Sequence, residues 1–160
     1  MSSPDIHPTL AKALSARGYA DLTPVQLAVV EPQAHGRDLL VSARTGSGKT
    51  VAYGLALADT LLGAGDVLPA PGPPAALVIA PTRELAMQVQ RELQWLYAAA
   101  RVVSCVGGMD PRAERRALEA GCHIVVGTPG RLRDHLERGN LQLDQLAAVI
   151  LDEADEMLDL

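Results

Sequence analysis

The sequence predicts an α/β fold in which a mostly parallel sheet carries helices on both faces. Short apolar segments alternate along the chain with segments of helical periodicity, and this alternation is typical of strand–helix–strand units. The apolar segments are continuous rather than alternating, as expected of strands that are buried on both faces. The chain has 160 residues, 48% of them hydrophobic, which is enough for one domain with a substantial core.

Five apolar segments fit buried strands. They span residues 38–43, 75–80, 101–106, 123–127 and 146–151. Between them, apolar side chains recur at helical spacing and predict two helices, one over about 83–98 and one that follows the first strand. The helix over about 83–98 is marked by Leu85, Val89, Leu93 and Leu96. The helix that follows the first strand is marked by Val51, Leu55, Ala58 and Leu62.

Three helix starts share one pattern, a capping side chain followed by proline. The pairs are Thr23-Pro24, Asp110-Pro111 and Thr128-Pro129. A capping oxygen satisfies a free backbone N–H, and proline lacks the N–H that the first helical residue would leave unbonded. By contrast, residues 63–74 are so rich in glycine and proline that we predict a surface loop there.

The cysteines and histidines give no sign of a metal or redox centre in the sequence. Two cysteines, Cys105 and Cys122, are too few for a disulfide framework and lie in apolar segments, so we interpret them as reduced core residues. No cysteine or histidine has partners at metal-ligand spacing. We expect the histidines to be solvated or hydrogen-bonded rather than catalytic; they are His7, His35, His123 and His135.

Charge and composition limit the possible partners. The net charge of −5 argues against a protein that holds nucleic acid by a broad basic surface. Aromatic residues make up 2% of the chain, so many bases cannot stack on side chains. The N-terminus has no signal-peptide pattern, and no apolar segment is long enough to span a membrane. We therefore expect a soluble cytoplasmic protein.

The segment ARTGSGKT, residues 43–50, lies between a predicted strand and a predicted helix. In such a loop, glycines let backbone N–H groups surround phosphate oxygens, and the helix start favours anions. Lys49 is predicted to contact the β- and γ-phosphates, and Thr50 to offer its hydroxyl to Mg²⁺. The other predicted phosphate contacts are Ala43, Arg44, Thr45, Gly46, Ser47 and Gly48. The alternative is an ordinary glycine-rich turn between a strand and a helix. From average residue usage, a chain of this length would match the phosphate-loop motif by chance with a probability on the order of 1%.

A second candidate motif, AAVILDEAD at residues 147–155, is an apolar strand that ends in carboxylates. In a phosphate-binding fold such a strand places a carboxylate near the metal side of the nucleotide. We assign Asp152 to Mg²⁺ through water, and Glu153 to orienting or deprotonating the attacking water. The alternative is an acidic helix start that is stabilised by the helix dipole. Together with the phosphate loop, the motif indicates a nucleoside triphosphatase.

The residues Asp152-Glu153-Ala154-Asp155 resemble the signature of DEAD-box ATP-dependent RNA helicases, and residues from about 18 onward match that family's N-terminal, RecA-like P-loop domain. The resemblance implies ATP and Mg²⁺ as ligands and a coupling role for Asp155. GYADLTPVQ, residues 18–26, resembles the family's adenine segment, in which the Gln26 amide can both donate to and accept from the adenine edge. Thr23 either contacts the phosphate loop or only caps the helix.

Three further segments resemble the family's RNA contacts. Two are helix starts, PTRELA and TPGR, whose free N–H groups can hold RNA phosphates. The third is a glycine pair, which lets a sugar–phosphate strand approach closely. Such contacts ignore base sequence and can include 2′-hydroxyls. Arg131 adds a charge, and Arg83 either does the same or braces the loops. The predicted RNA-binding residues are Pro81, Thr82, Arg83, Gly107, Gly108, Thr128, Pro129, Gly130 and Arg131. Alternatively, the threonines are only caps and the glycines only a turn.

The resemblance also implies parts that residues 1–160 do not contain. These are a strand ending in Ser-Ala-Thr, placed between the phosphate-loop strand and the Asp-Glu-Ala-Asp strand, and a second RecA-like domain. We therefore expect a partial ATP-binding domain that is incomplete at its C-terminus, marginally stable and inactive alone, within a helicase that unwinds or remodels short RNA duplexes. Two alternatives are a P-loop ATPase acting on DNA or protein, and a truncated, non-enzymatic nucleotide-binding product.

Overall fold

A computed structural model describes residues 6–41 and 47–158 of the chain. Within these residues lie four strands: β1 Ala76–Ile79, β2 Val102–Cys105, β3 Ile124–Gly127 and β4 Ala148–Leu151. They form one sheet in the order β2-β3-β1-β4, and every neighbouring pair is parallel. The predicted parallel α/β fold is confirmed.

Helices precede the sheet and connect its strands. They are α1 Pro8–Ala16, α2 Pro24–Val30, α3 Lys49–Ala56, α4 Ala58–Leu62, α5 Arg83–Leu96, α6 Pro111–Glu119, α7 Pro129–Glu137 and α8 Ala154–Leu158, with one 3₁₀ turn at Pro32–Ala34. All three predicted helices begin at their prolines; the side chain of Asp110 caps α6, whereas that of Thr128 makes no capping bond to α7. Residues 63–74 contain no helix or named strand, as predicted. No helix in the described segments combines the length and hydropathy needed to cross a bilayer.

Helices cover both faces of the sheet. Along β1, Val78 packs into a core with α1 to α5, whereas its neighbour Leu77 packs on the other face into a smaller core. The smaller core also contains Leu118 of α6 and Leu132 of α7. Successive strand residues point to opposite faces, so a strand covered on both faces needs apolar residues at every position. This arrangement explains why the strand segments are continuously apolar.

The first predicted strand, 38–43, is not formed where the structure describes it. Residues 38–41 have no strand pairing, and Leu40 is fully exposed; Ser42 and Ala43 lie outside the described residues. The prediction rested on apolar residues alone, but a strand also needs a neighbouring ladder. In the described part of the chain, β4 pairs only with β1 and leaves its other edge unpaired. Val149 and Leu151 of β4 are about half exposed.

Both cysteines are buried, as predicted, and we expect them to be unreactive in the folded chain. Burial raises the pKa of the Cys105 thiol to about 12 and that of the Cys122 thiol to about 11. A thiol-specific chromogenic reagent at neutral pH should therefore label neither cysteine until denaturant is added, because the reactive thiolate is scarce and shielded. Rapid labelling of either cysteine in native buffer would contradict this prediction.

Candidate nucleotide and nucleic-acid site

All of the described candidate segments that follow strands lie at the same end of the sheet, the end formed by the carboxyl termini of the strands. The carboxyl ends of parallel strands lie together, which is where ligands bind in open α/β sheets. β4 continues into Asp152 and Glu153, and the neighbouring β1 continues into the PTRELA segment. β3 and β2 continue into the TPGR segment and the glycine pair. The predicted RNA segments therefore lie side by side, next to the predicted ATP residues.

The start of α3 contacts the acidic turn that follows β4. Lys49, the first residue of α3, places its Nζ 3.0 Å from Oε1 of Glu153. One turn further along α3, the Tyr53 hydroxyl donates to Oδ1 of Asp152 at 2.7 Å. Residues four apart on a helix share a face, so Lys49 and Tyr53 reach the same turn. The structure thus brings Lys49 together with the two carboxylates predicted to act with it.

Asp152 is held in a fixed position. Its side chain is buried, and its backbone N–H donates to the carbonyl of Ile79 at 2.8 Å, which extends the β1–β4 ladder past the end of β4. Glu153 then turns the chain with a positive φ of 51°, a conformation that non-glycine residues adopt at a cost of about 1 kcal/mol. Together these features fix the carboxylates opposite α3. Sequence reasoning missed Tyr53, although its spacing from Lys49 was a usable signal.

Gln26 ties the predicted adenine segment to the phosphate loop. Its side chain is completely buried; its Oε1 accepts from the N–H of Thr23 at 2.9 Å, and its Nε2 donates to the carbonyl of Gly48 at 3.2 Å. Gly48 has a φ of +86°, and a Cβ there would lie 2.3 Å from Nε2 of Gln26. Only glycine fits this position. Both polar atoms of Gln26 are engaged within the chain, and its reading of adenine stays a prediction.

Two hydroxyls beside the phosphate loop have no partner within the described residues. Oγ1 of Thr23 and Oγ of Ser47 are buried without a hydrogen bond. Thr23 precedes α2 and forms a capping box with Gln26, whose Oε1 accepts from the backbone N–H of Thr23 at 2.9 Å, so helix capping still accounts for Thr23. A buried polar atom without a partner costs about 1–3 kcal/mol. Both residues also line an open, mostly apolar cavity of about 670 Å³ between α2 and residues 39–41.

For the other predicted ATP-site residues, the structure gives a position at most and no contact that tests their role. Thr50 lies in the first turn of α3 and is half-buried, and Asp155 is exposed on α8. The remaining loop residues predicted to bind phosphate lie outside the described residues; they are Ala43, Arg44, Thr45 and Gly46. The described part of the loop therefore places Ser47, Gly48, Lys49 and Thr50 at the start of α3.

The two threonines of the RNA segments behave differently. Oγ1 of Thr82 accepts from the N–H of Leu85 at 3.3 Å and caps α5. Thr128 occupies the same position before α7 but makes no side-chain capping bond, which leaves its hydroxyl available for another contact. Gly107 has open space around it, whereas Gly108 adopts a φ of +83° beneath the guanidinium of Arg83. The interpretation of these residues as only caps fits Thr82 but not Thr128.

Both arginines of the RNA segments contact the loop that contains the glycine pair. Nη1 of Arg131 lies 2.9 Å from Oε1 of Glu114, and both of its terminal nitrogens donate to the carbonyl of Met109 at 3.3 Å. Nη2 of Arg83 lies 3.5 Å from the sulfur of Met109. The contact of Arg83 fits the bracing alternative. Arg131, predicted to add a positive charge, is 14% exposed and paired with Glu114; its contact with RNA stays a prediction.

Sequence reasoning also missed a buried polar cluster beneath the RNA segments. Cys105, Glu114 and His135 are all buried, and their sulfur, oxygen and nitrogen atoms lie within 4.8 Å of one another. They come from β2, α6 and α7, so no local spacing in the sequence connects them. We expect the histidines to be solvated or hydrogen-bonded, and His135 is hydrogen-bonded, to Glu114 and Asn140.

The stability of the chain should fall at alkaline pH because of two phenols, that of Tyr97, which is buried, and that of Tyr53, which is half-buried. Burial, and then the hydrogen bond to Asp152, raises the pKa of Tyr53 above its ordinary value of 10.0; burial and the charge of Asp59 raise the pKa of Tyr97. The folded chain therefore holds these protons more tightly than the unfolded chain. Their stabilisation is complete below about pH 10 and is lost as the pH rises further.

Urea denaturation at about pH 9 and about pH 11 checks this pH dependence. The wild type should lose free energy of unfolding between the two conditions, and Tyr53→Phe should lose less of it. An equal loss in both proteins would show that Tyr53 does not titrate between the folded and unfolded states as its surroundings imply.

In this parallel α/β domain, Lys49 at the start of α3 faces the carboxylates of Asp152 and Glu153, which follow β4. This arrangement defines the class of P-loop nucleotide-binding domains. Comparison with known proteins identifies the family. The sequence model of the DEAD/DEAH box helicase family matches residues 23–160, and the chain belongs to this family. Its fold is the RecA-like domain of these helicases.

Individual relatives agree with this assignment. The chain is 44% identical over 154 residues to DEAD-box ATP-dependent RNA helicase 53 of Oryza sativa subsp. japonica, covering 96% of the chain and 25% of the relative. It is 46% identical over 156 residues to ATP-dependent RNA helicase DeaD of Buchnera aphidicola, again covering 96% of the chain and 25% of the relative. The chain thus spans about a quarter of the length of these relatives.

Among solved structures, the crystal structure of the yeast DEAD-box splicing factor Prp28 superposes with a TM-score of 0.83 at 34% sequence identity. The match covers 96% of this chain and 38% of that protein. The likeness therefore extends over nearly the whole chain, including the carboxyl ends of the strands, where the candidate site lies.

Proposed function

We propose that this chain is the ATP- and RNA-binding portion of a helicase that uses ATP binding and hydrolysis to unwind or remodel short RNA duplexes. The observation that carries the proposal is the contact of Lys49 with Glu153 at 3.0 Å, at the same sheet edge as three candidate RNA segments. Nucleotide and RNA bound at adjacent positions of one edge can influence each other through shared loops.

The ATP residues have distinct roles in this proposal. Lys49 exchanges Glu153 for the β- and γ-phosphates, since a triphosphate carries more negative charge than one carboxylate. Glu153 is then free to orient or deprotonate the attacking water. Gln26 accepts from the N–H of Thr23 and donates to the carbonyl of Gly48, and so connects the adenine segment to the phosphate loop.

Mg²⁺ fits the oxygen donors that these residues offer. Thr50 and Asp152 would hold the ion, and Tyr53 fixes one oxygen of Asp152 through its 2.7 Å hydrogen bond. The donor set consists of a hydroxyl and a carboxylate, which hard cations such as Mg²⁺ prefer, and the ion would neutralise charge on the phosphates.

RNA would be held through its backbone. The start of α7 has no side-chain cap, and the start of α5 has one N–H capped by Thr82, so backbone N–H groups of both helix starts can hold phosphates; Gly107 leaves open space where a sugar–phosphate strand can approach. No aromatic side chain belongs to the three RNA segments, so base identity would not be read there. These local contacts need no basic surface, which reconciles the proposal with a net charge of −5.

In this proposal, unwinding requires a second RecA-like domain that faces the carboxyl ends of the strands. ATP and RNA bound there would draw the two domains together. In this proposal residues 1–160 are part of the ATP-binding domain and do not unwind RNA alone. The unpaired edge of β4 is consistent with a sheet that another strand completes. We expect the purified 160-residue chain to show no RNA-stimulated ATP hydrolysis; robust turnover would contradict this part of the proposal.

A comparison of RNA with DNA tests the central claim. Fluorescence anisotropy of labelled single-stranded RNA and DNA of equivalent sequence, with and without a non-hydrolysable ATP analogue, should show tighter binding of RNA and a gain on adding the nucleotide. Equal affinity for RNA and DNA would favour an ATPase that acts on another polymer. Nucleotide binding without any affinity for RNA would favour a non-enzymatic nucleotide-binding product.

A further inference from the structure

Glu114 is buried where two of the candidate RNA segments meet, and none of the proposed ATP contacts uses it. We propose that Glu114 is a positioning residue for RNA binding. Acting through Arg131, its carboxylate holds the loop 107–110 against the start of α7, so that both segments can present backbone groups to one RNA strand. This inference rests on the proposed function, because it concerns the same RNA surface.

The Glu114 carboxylate joins three parts of the chain. Oε2 accepts from the N–H of Val106, the residue after β2, at 2.9 Å. Oε1 accepts from Nη1 of Arg131 and from Nε2 of His135, each at 2.9 Å. Glu114 itself lies on α6 and is only 6% exposed. A buried carboxylate is stable only when it is paired and hydrogen-bonded, and here three donors from the end of β2 and from α7 fulfil that requirement.

Arg131 transmits this constraint to the loop. Nη1 of its guanidinium donates to Oε1 of Glu114, and both terminal nitrogens donate to the carbonyl of Met109. A guanidinium is planar and presents its donors at fixed angles, so a carboxylate and a carbonyl can be bound together in one geometry. Met109 follows the glycine pair directly. The ion pair therefore sets the distance between Gly107-Gly108 and the TPGR segment.

His135 closes the network beneath Arg131. Its Nδ1 lies 3.1 Å from Nδ2 of Asn140, and this amide donor leaves the proton on Nε2, which donates to Glu114. Both ring nitrogens and both carboxylate oxygens are thus engaged. Although Cys105 adds a sulfur nearby, the Arg131 guanidinium lies 2.9 Å from the carboxylate and would repel a metal cation. The geometry points to a closed polar network rather than a metal centre.

The substitution Glu114→Gln separates positioning from simple electrostatics. It keeps the size of the side chain and an oxygen for Val106, but it removes the charge that holds Arg131. We expect the Kd for single-stranded RNA to rise about tenfold, the effect of losing one charge-assisted hydrogen bond. Simple electrostatics predicts the opposite sign, because removing a negative charge near RNA should tighten binding.

Glu119→Gln is the matched control. It makes the same chemical change on the same helix, at an exposed side chain whose ion pair with Arg115 faces solvent. Anisotropy of a labelled polyuridylate oligonucleotide should show unchanged or slightly tighter binding for this variant. The Kd for a fluorescent ATP analogue should be unchanged in both variants well below their melting temperatures, which excludes general unfolding as the cause.

A second variant, Arg131→Lys, keeps the charge but loses the planar fork. If Arg131 acts by bracing, lysine should weaken RNA binding as much as Glu114→Gln does, and the double variant should be no weaker than either single one, because both changes break the same link. Fully additive effects would overturn the claim that Glu114 acts through Arg131. Should Glu114→Gln fail to fold, near-wild-type RNA binding by Arg131→Lys overturns the inference by itself.

The outcomes distinguish the inference from the proposed function. If the wild-type chain binds RNA and Glu114→Gln binds it equally or more tightly, Glu114 is not a positioning residue and the proposed function is unaffected. If the wild-type chain does not bind RNA under any nucleotide condition, the proposed function fails and the inference fails with it.

Discussion

Replacing Lys49 by alanine should weaken ATP binding by roughly 100-fold, the loss expected for a charge-assisted contact worth about 3 kcal/mol. Two effects act in the same direction. The variant removes the positive charge predicted to contact the phosphates, and it leaves the carboxylate of Glu153, now without its partner at 3.0 Å, facing the incoming triphosphate. Titration of a fluorescent ATP analogue measures the change.

The chain supplies a matched control for this experiment. Lys12 is the only other lysine in the sequence, and it is exposed on α1. Lys12→Ala should bind nucleotide as the wild type does. If Lys49→Ala retained wild-type affinity, the assignment of residues 43–50 as a phosphate loop would be wrong, and the ATP-dependent part of the proposed function would fail with it.

Truncating Leu93 to alanine should cost about 2–5 kcal/mol of the free energy of unfolding, the range for a buried leucine that leaves a cavity. Leu93 is fully buried on α5 and packs against Gly54 of α3, where a side chain would collide with Leu96. The helix that begins with Lys49 therefore rests on α5. Loss of this packing should also loosen the position of the phosphate loop.

Urea denaturation followed by circular dichroism measures the effect of Leu93→Ala, and Leu136→Ala serves as its control. Leu136 lies on α7 with about two-fifths of its side chain exposed, so its truncation should change stability by less than about 1 kcal/mol. Equal losses for the two variants would mean that α3 and α5 do not share the core described above.

The sequence predicted the elements that local pattern determines. Four of the strands and the three proline starts follow from apolar runs and capping residues, and the parallel arrangement follows from their alternation with helices. The strand predicted at 38–43 is not formed over its described residues, 38–41, because strand formation depends on a neighbouring strand, and hydropathy does not show whether one is present.

Local sequence pattern does not show which side chains pair between elements that are distant in the sequence. The charge of Arg131 was visible in the sequence, but its pairing with Glu114 depends on how α6 and α7 pack beside β2 and β3. For the same reason the hydrogen bond between Tyr53 and Asp152 was missed, although the spacing of Tyr53 from Lys49 placed it on the correct face of α3. Motifs identified the chemistry, whereas the fold decided which charges remain free.

Among the residues that the structure describes, no strand pairs with the second edge of β4, and this has a consequence for the behaviour of the chain in solution. The four residues of β4, Ala148–Leu151, contain neither a charged side chain nor a proline, the features by which natural edge strands usually prevent intermolecular pairing. Two copies meeting along this edge could continue the ladder from one molecule into the next. Concentrated samples should therefore form β-rich oligomers, and light scattering should rise with protein concentration unless another strand covers the edge.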